Sequence, residues 1–352
     1  MSKKSRLPRA NNSSSNRSKA IVANIIENKQ MISLNAEQFG NYVVSHYETL
    51  NFPFIQDFSN YRENQVMAQR LANLKAGMDE VSCAYIDHHE RLLDLAKCTD
   101  AVLVKKDFLW TAEDQKLFKN YQTIKEQGTI PLVNEVNLEW GSSITNRYGL
   151  YDVPAEKLSA VNGKAVIDAG GYIGDSPSLF RALFPESKIH TFEPSKASFE
   201  TLTNLFNQDI NQGNIIPVQK GLGDEKGTLK LSKAQGLQSD STASMAMDYG
   251  LGPDSYEEAE VITLDEYVQE HNLSVGLIKV DVEGFEPQVL KGALNTIKTQ
   301  RPVLVLAIYH SGYEFYELKS VLEALNLNYS FQIRRGAFCN PLTELDLIAI
   351  PN

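Results

Sequence analysis

The chain has 352 residues, of which 42% are hydrophobic and 22% charged, and its formal net charge is −10. This length and apolar content allow one large domain or two domains with real cores. The acidic balance argues against a nucleic-acid substrate, because proteins that bind the phosphate backbone need an excess of basic side chains. No run of about 18 apolar residues occurs, so we predict no membrane span.

Two features of the sequence bear on cellular location. The first 20 residues hold six basic and no acidic side chains, which predicts a disordered basic tail over residues 1–20. A transit peptide is the alternative that the same composition allows. The three cysteines, Cys83, Cys98 and Cys339, are widely spaced and indicate a reducing compartment. We therefore predict a cytoplasmic protein.

Residues 21–127 are predicted to be a mainly helical accessory domain, because apolar side chains recur there at spacings of three and four. Two segments at its start, residues 20–32 and 35–50, are predicted as helices, and residues 100–110 as a short strand. Substrate recognition and self-association as a homo-oligomer are the two roles left open for this domain. Residues 128–163 hold several glycines and prolines and are predicted to be a connector built of loops.

The adjacent residues His88, His89 and Glu90 raise the question of a metal site in the helical region. Neighbouring side chains on a helix point about 100° apart, and no second ligand pair follows at helical spacing. We therefore interpret the three residues as part of an exposed polar face.

After residue 163 the pattern changes to apolar strands that alternate with amphipathic helices. This alternation predicts an α/β domain over residues 164–352, with a mostly parallel sheet covered on both faces. Residues 227–232 and 260–268 are predicted as extended excursions. Ligands of such sheets bind outside the carboxyl ends of the strands, so we expect the site in the loops that follow them.

The first of these loops lies in the stretch VIDAGGYIGDS, residues 166–176. The dinucleotide fingerprint G-x-G-x-x-G requires glycine at position 169, where this chain has alanine. A plain turn between a strand and a helix is the structural alternative. Asp168 ends the first strand with a negative charge, and Glu193 ends the next. Because a carboxylate can accept the ribose hydroxyls, two acids favour an adenosine cofactor with a cationic head, S-adenosylmethionine.

The polar turn KGLGDEKG after the third strand is a further candidate for cofactor contact. Gly221 to Asp224 are predicted to lie against the edge of an adenine ring. The alternative is that this turn is a simple loop that leads into the next hairpin.

Five motifs follow one another in chain order: VIDAGGYIGDS, HTFEP, VITLDEYV, LIKVDVEGFEPQVLKGA and RPVLVLAIYH. Together they resemble the FkbM family of S-adenosylmethionine-dependent methyltransferases, over residues 164 to about 350. The resemblance implies a class I methyltransferase (Rossmann-like) fold, with a seven-stranded, mostly parallel sheet ending in an antiparallel pair. It also implies O-methylation of hydroxyls on sugars, glycans or polyketides. The chain departs from the family loop at Gly171 and Tyr172, where Ala-Asn is common.

The residues predicted to bind the cofactor lie in the glycine loop, at the end of the second strand and in the polar turn. They are Asp168, Gly170, Gly171, Gly174, Asp175, Glu193, Gly221 and Asp224. The resemblance places family cofactor positions on Asp168, Gly170, Gly174 and Glu193.

The strand LIKVDVEGFE brings acids to the same edge of the sheet. With period-two alternation Lys279, Asp281 and Glu283 share one face, and we predict Asp281 and Glu283 as catalytic residues. Together with Glu286 they leave open a divalent cation that polarises sugar hydroxyls, although no metal ligand is assigned. The structural alternative is that Glu283 or Glu286 caps the following helix.

The next strand, VLVLAIYH, ends at His310. We predict His310 as the catalytic base, because imidazole takes up a proton near neutral pH; a hydrogen-bonded rim residue is the alternative. Tyr309 is predicted to point to the opposite face and to belong to the core. Arg334 and Arg335 are interpreted as solvated, with contact to an acidic glycan as the alternative.

The leading hypothesis is an S-adenosylmethionine-dependent O-methyltransferase that acts on a hydroxyl of a sugar or glycan, which is its partner. Residues 239–252 are predicted as either a substrate loop or an untethered excursion. Two alternatives stay open, a degenerate methyltransferase fold that serves as a binding or scaffold protein, and an NAD-linked nucleotide-sugar enzyme. The sequence leaves the acceptor sugar and the oligomeric state open.

Overall fold

The computed structural model describes residues 21–27, 30–35, 47–50, 54–62, 66–96, 102–105, 109–126, 146–232, 256–338 and 340–352. For the strands before residue 106 it gives the backbone alone. The predicted tail 1–20, the segment 239–252 and half of the predicted connector lie outside the described residues.

Strands and helices alternate through most of the described chain. The strands are β1 (Ile21–Glu27), β2 (Gln30–Asn35), β3 (Tyr47–Leu50), β4 (Val102–Lys105), β5 (Ala165–Ala169), β6 (Ile189–Phe192), β7 (Ile215–Val218), β8 (Gly221–Leu222), β9 (Gly227–Ser232), β10 (Tyr256–Ile262), β11 (Val275–Val280), β12 (Val303–Ala307), β13 (Tyr329–Arg335) and β14 (Leu345–Pro351). The helices are α1 (Ile55–Arg62), α2 (Met67–Lys75), α3 (Glu80–Ala96), α4 (Ala112–Glu126), α5 (Ala155–Ser159), α6 (Asp175–Leu183), α7 (Lys196–Leu205), α8 (Asn207–Asn211), α9 (Leu264–Glu270), α10 (Glu286–Gly292), α11 (Leu294–Gln300) and α12 (Gly312–Glu323), with a 3₁₀ turn at Arg147–Asp152.

A seven-stranded sheet is the centre of the fold, in the order β7-β6-β5-β11-β12-β14-β13. β14 runs antiparallel to both of its neighbours, and the remaining pairs are parallel. This arrangement confirms the predicted α/β class and the class I methyltransferase sheet with its closing antiparallel pair. The carboxyl ends of β5, β6, β11 and β12 therefore meet at one edge, where ligands of such sheets bind.

The core explains why these strands are nearly continuous apolar runs. β5, β11 and β12 are buried along their whole length, as expected for parallel strands covered on both faces. Phe180 of α6 and Leu202 of α7 pack into the same buried cluster as Val166 and Val305.

A second, three-stranded sheet has the order β8-β10-β9. β9 pairs antiparallel with β10, so the extended excursion predicted at residues 227–232 is confirmed. The one predicted at residues 260–268 is wrong after Ile262, because Thr263 caps the start of α9 and its side chain accepts a hydrogen bond from the Glu266 backbone N–H.

Where the structure describes them, the two helices predicted at the start of the accessory domain are wrong; residues 36–46 lie outside the described residues. The backbone there forms β1, β2 and β3, which join β4 in a sheet of order β2-β1-β4-β3. Short apolar runs rich in isoleucine and valine fit the periodicity of a helix and that of a strand equally well, and β-branched residues favour strands. The short strand predicted within residues 100–110 is confirmed by β4.

The chain divides into two compact units, and the division differs from the predicted accessory domain over residues 21–127. One unit comprises residues 1–51 and 98–109, and the other residues 52–97 and 110–352. The helices α1 to α4 therefore belong to the same compact unit as the seven-stranded sheet. Within it α1 and α2 pack on α12, and α3 packs on β13.

His88 and His89 of α3 are buried, which corrects the predicted exposed polar face. The ring of His89 stacks on Phe315 of α12, with 4.3 Å between ring centroids, and burial lowers its pKa to about 3. His89 faces inward because Phe315 of α12 covers it, and a single sequence does not show that neighbour.

Arg334 and Arg335 of β13 are also buried, which corrects their interpretation as solvated. Arg334 pairs with Asp79 and Asp152, each at 2.5 Å. Arg335 pairs with Asp114 at 3.0 Å. These charges tie the first helices to the edge of the central sheet. None of the helices in the described ranges has both the length and the apolar character required to cross a membrane.

Candidate active site

The glycine loop after β5 is packed against neighbouring strand ends. Gly170 has a φ of +85°, and a Cβ atom there would lie 1.8 Å from the carbonyl oxygen of Asp281. A Cβ atom on Gly171 would lie 2.0 Å from the Thr191 hydroxyl. Only glycine permits so close an approach together with a left-handed backbone. The loop therefore brings the end of β5 directly onto the end of β11.

Asp168 is fully buried at the end of β5. Its carboxylate accepts hydrogen bonds from the hydroxyls of Ser176 at 2.8 Å and Thr191 at 2.7 Å. Burial raises the pKa of Asp168, against the opposing charge of Lys279, whose Nζ lies 3.8 Å away. Asp168 thus orders the loop from beneath it.

Glu193, at the end of β6, turns its carboxylate toward the glycine loop. Its Oε2 accepts a hydrogen bond from the Tyr172 backbone N–H at 2.9 Å, and its Oε1 accepts one from that of Ser195 at 2.8 Å. Burial raises the pKa of Glu193 to about 7. Each carboxylate oxygen keeps a further lone pair, so the group can also accept hydrogen bonds from a ligand.

The other predicted cofactor residues lie in two places. Gly174 precedes α6 with a φ of +117°, and Asp175 is the first residue of that helix. Gly221 lies in β8, opposite Val261 of the second sheet. The Asp224 carboxylate is 3.9 Å from Lys291. The structure thus groups Gly174 and Asp175 with the glycine loop, while no described contact joins Gly221 or Asp224 to it.

Asp281 and Glu283 follow the end of β11, on the predicted edge of the sheet. β11 ends at Val280, and Glu283 has a φ of +56°, so period-two alternation does not extend to it. Lys279 still lies 3.5 Å from the Asp281 carboxylate. The Asp281 and Glu283 side chains are each 23% exposed, and they face the open edge.

His310 lies behind these two acids and is enclosed by carboxylates. Its Nε2 is 3.6 Å from Glu283 and 3.8 Å from Asp281. Its Nδ1 is 3.0 Å from Glu286 and 3.9 Å from Glu314. Burial alone would lower the pKa of His310, but the charges of Glu286 and Glu283 outweigh it and raise the pKa well above its usual range.

Three functional neighbours were missed or misassigned from the sequence. Tyr309 is buried as predicted, but its hydroxyl lies 3.4 Å from the Asp281 carboxylate. Glu314 forms a capping box with Ser311 at the start of α12, a pattern that the residues Ser-Gly-Tyr-Glu already show. Phe54, just before α1, meets the His310 ring edge-on at 5.4 Å, and no local pattern reveals so distant a contact.

The comparison with known proteins agrees with this geometry. Residues 168–333 match the Methyltransferase FkbM domain. These residues are an FkbM-family methyltransferase domain. The match begins at Asp168 and includes Glu193, Asp281 and His310. The match argues against the alternative of an NAD-linked nucleotide-sugar enzyme, because the matched domain is a methyltransferase domain.

Two curated relatives of this FkbM domain are methyltransferases. Methyltransferase 1 from Beauveria bassiana is 29% identical over 178 residues, which cover 45% of this chain and 70% of that protein. Hexuronic acid methyltransferase AglP from Haloferax volcanii is 28% identical over 166 residues, which cover 46% of this chain and 62% of AglP. The solved structure of a methyltransferase FkbM from Methylobacillus flagellatus aligns with a TM-score of 0.43 and 17% identity, over 68% of this chain and 60% of that one.

Proposed function

We propose that this chain is an S-adenosylmethionine-dependent O-methyltransferase that acts on a hydroxyl of a sugar or glycan. One observation supports the proposal above the others. The acids after β5, β6 and β11 lie at one edge of the sheet, and the glycine loop packs directly on Asp281. A scaffold protein would have no need to keep these acids together at one edge of the sheet.

The residues around the glycine loop fit S-adenosylmethionine. Glu193 is buried at the loop, and both of its oxygens are already oriented by backbone N–H groups. A carboxylate held in this way suits the two ribose hydroxyls. The negative charge of Asp168 beneath the loop suits the cationic head of the cofactor. When bound, the cofactor supplies a methyl group that its sulfonium has already activated.

The chain's own part in the reaction is to orient the acceptor and to take its proton. Asp281 and Glu283 face the open edge, so either carboxylate can accept a hydrogen bond from an incoming hydroxyl. A placed base of this kind contributes about 10²–10⁴-fold to the rate. His310 is enclosed behind them, which suits a residue that positions both carboxylates.

A carbohydrate acceptor is supported by the relative AglP, whose name specifies a hexuronic acid substrate. The resemblance of the motifs to a family that methylates hydroxyls of sugars points the same way. Location in the cytoplasm, and self-association through the first part of the chain, remain predictions that go with this proposal.

Calorimetric titration with S-adenosylhomocysteine tests the cofactor. We expect binding in the micromolar range, and Glu193→Ala is expected to weaken it about 30-fold or more, because charge-assisted hydrogen bonds to the ribose are lost. Glu225→Ala, which removes an exposed acid of the same domain, is the control and is expected to bind like the wild type. Folded wild-type protein that does not bind the ligand would overturn the proposal in favour of the scaffold alternative.

The acceptor is tested with isotopically labelled S-adenosylmethionine and a panel of free sugars, uronic acids and short glycans. We expect label to appear as a methyl ether on one class of acceptor. Asp281→Asn and Glu283→Gln are both expected to reduce transfer while leaving the binding of S-adenosylhomocysteine intact. Transfer to nitrogen or carbon in place of oxygen would contradict the proposed reaction.

A further inference from the structure

The buried cluster around His310 contains more negative groups than positive ones. Four carboxylates, those of Asp281, Glu283, Glu286 and Glu314, have an oxygen within 3.9 Å of a ring nitrogen. The His310, Glu286 and Glu314 side chains are almost completely enclosed. Buried carboxylates are retained in proteins when they are paired or when they coordinate a cation.

The two ring nitrogens of His310 lack the well-aligned hydrogen bonds that burial demands. In the described part of the chain both are buried with no hydrogen-bond partner of good geometry, whereas the Glu286 and Glu314 carboxyl groups hydrogen-bond each other. His310 Nδ1 lies 3.0 Å from Glu286 Oε1, which is ion-pair distance without the alignment of a hydrogen bond. A buried histidine that points into a group of acids without a hydrogen bond indicates a missing ligand.

The distances within the cluster suit a single cation. One ligand atom from each of Asp281, Glu286 and His310 can be chosen so that all three lie within 4.8 Å of one another. Oxygen or nitrogen ligands about 2.1 Å from a cation lie roughly 3 Å apart at right angles and about 4.2 Å apart when opposite, so a cation would draw the widest pair slightly together. We propose that Asp281, Glu286 and His310 bind one divalent cation through an imidazole nitrogen and two carboxylate oxygens.

The donor set selects the class of cation. Imidazole favours zinc and its neighbours, whereas carboxylates alone suit magnesium, calcium and manganese. One nitrogen with two carboxylates therefore favours Mn²⁺ or Zn²⁺ over Mg²⁺ and Ca²⁺.

A role for this cation in transfer rests on the proposed function, whereas its binding does not. Asp281 is 23% exposed, so the cation would lie next to the edge where the acceptor hydroxyl arrives. A cation there polarises the hydroxyl, and Glu283, which is outside the ligand set, accepts the proton.

The test uses the full chain, freed of metal with a chelator and titrated with MnCl₂ by calorimetry. We expect one Mn²⁺ per chain, and electron spin-echo measurements are expected to show ¹⁴N modulation from the His310 ring. Asp281→Asn is expected to weaken binding about tenfold or more, since loss of an outer-shell partner alone costs 10–100-fold. Glu317→Gln is the control, because Glu317 lies on α12 but pairs with Arg70, and its affinity for Mn²⁺ is expected to be unchanged.

Three results would overturn the cation site: no binding of Mn²⁺ or Zn²⁺, binding without ¹⁴N modulation, or equal affinity in folded Asp281→Asn. If that variant does not fold, His310→Asn tests the same ligand set, and the ¹⁴N measurement on the wild type needs no variant. S-adenosylhomocysteine is titrated into the same sample. If the chain binds S-adenosylhomocysteine but not Mn²⁺, the cation site is rejected and the methyltransferase proposal stands. If it binds Mn²⁺ but not S-adenosylhomocysteine, the proposed function is rejected and the cation site stands.

Discussion

At the scale of single residues, the glycine loop shows why its glycines are needed. Gly170 combines a positive φ with a contact to the Asp281 backbone that no Cβ atom can make. Gly213 has a similar φ of +72°, but no atom lies within 4 Å of the place where its Cβ would be. The two positions separate the cost of the backbone conformation from the cost of the close approach.

Gly170→Ala is expected to lower the free energy of unfolding by about 3 kcal/mol or more, because left-handed strain of about 1–2 kcal/mol is added to an overpacked contact. Gly213→Ala is expected to cost only the strain, about 1 kcal/mol. Urea unfolding followed by circular dichroism measures both. Equal losses in the two variants would show that the loop is able to move away from Asp281.

Glu193 is expected to make cofactor affinity depend on pH. Burial and the charge of Asp168 raise its pKa to about 7, against the hydrogen bonds from Ser195 and Tyr172 and the charge of Lys279. Ribose hydroxyls bind the ionised carboxylate, so affinity for S-adenosylhomocysteine is expected to rise about tenfold from pH 6 to pH 8. Calorimetry at several pH values checks this, and Glu193→Gln is expected to bind more weakly but with a flatter profile.

The same raised pKa has the opposite effect on stability. The folded state holds the Glu193 proton up to about pH 7, whereas the unfolded chain releases it near its ordinary value. The contribution to stability is therefore complete below about pH 4.5 and is lost as the pH rises through about 7, by roughly 3 kcal/mol at most. As the pH rises through this window, the denaturant midpoint of the wild type should fall relative to that of Glu193→Gln. A difference that stays constant with pH would contradict the raised pKa of Glu193.

At the scale of elements, β13 holds the first helices through buried charges. Arg335 pairs with Asp114 of α4, and both side chains are almost completely enclosed. Asp114 also accepts a hydrogen bond from the Tyr85 hydroxyl at 3.0 Å. Its neighbour Glu113 pairs instead with Lys116, which is 75% exposed.

Asp114→Ala is expected to lower the free energy of unfolding by about 3–5 kcal/mol, because it removes the carboxylate charge that faces the buried Arg335 guanidinium. Glu113→Ala on the same helix breaks a solvent-screened pair and is expected to cost about 0.5 kcal/mol or less. Thermal and urea unfolding of both variants give the comparison. A small effect at Asp114 would mean that water reaches Arg335.

At the scale of the whole molecule, the compact unit that holds the sheet also holds residues 52–97 and 110–126. Lys319 of α12 donates to the Asn73 carbonyl at 3.1 Å, and the Ile333 backbone donates to the Ser82 hydroxyl at 2.9 Å. Removal of these helices would expose buried surface on α12 and β13.

A chain that begins at residue 128 is therefore expected not to unfold cooperatively, although the predicted domain boundary lies there. A chain that begins at residue 52 keeps every residue of the first helices and is expected to retain a cooperative transition. Calorimetric melting of both truncations checks this prediction. A sharp transition in the shorter chain would show that the predicted boundary is a real one.

The local pattern of the sequence determined the second half of the molecule. Continuous apolar runs such as VLVLA that alternate with amphipathic helices indicate buried parallel strands, and the class of sheet and the acids at its edge follow from this alternation. The positions of Asp168, Glu193, Asp281 and His310 were predictable because each lies at or just beyond the end of a strand, and parallel strands end at the same edge.

The tertiary structure alone decided what depends on distant neighbours. Short runs rich in isoleucine and valine became β1 and β2 because pairing outweighs a weak local preference. His89 and Arg335 are buried because α12 and α4 cover them. The cluster around His310 depends on Glu314 as well as on the predicted acids. Sequence periodicity describes one element at a time, whereas burial and charge pairing are properties of two elements in contact.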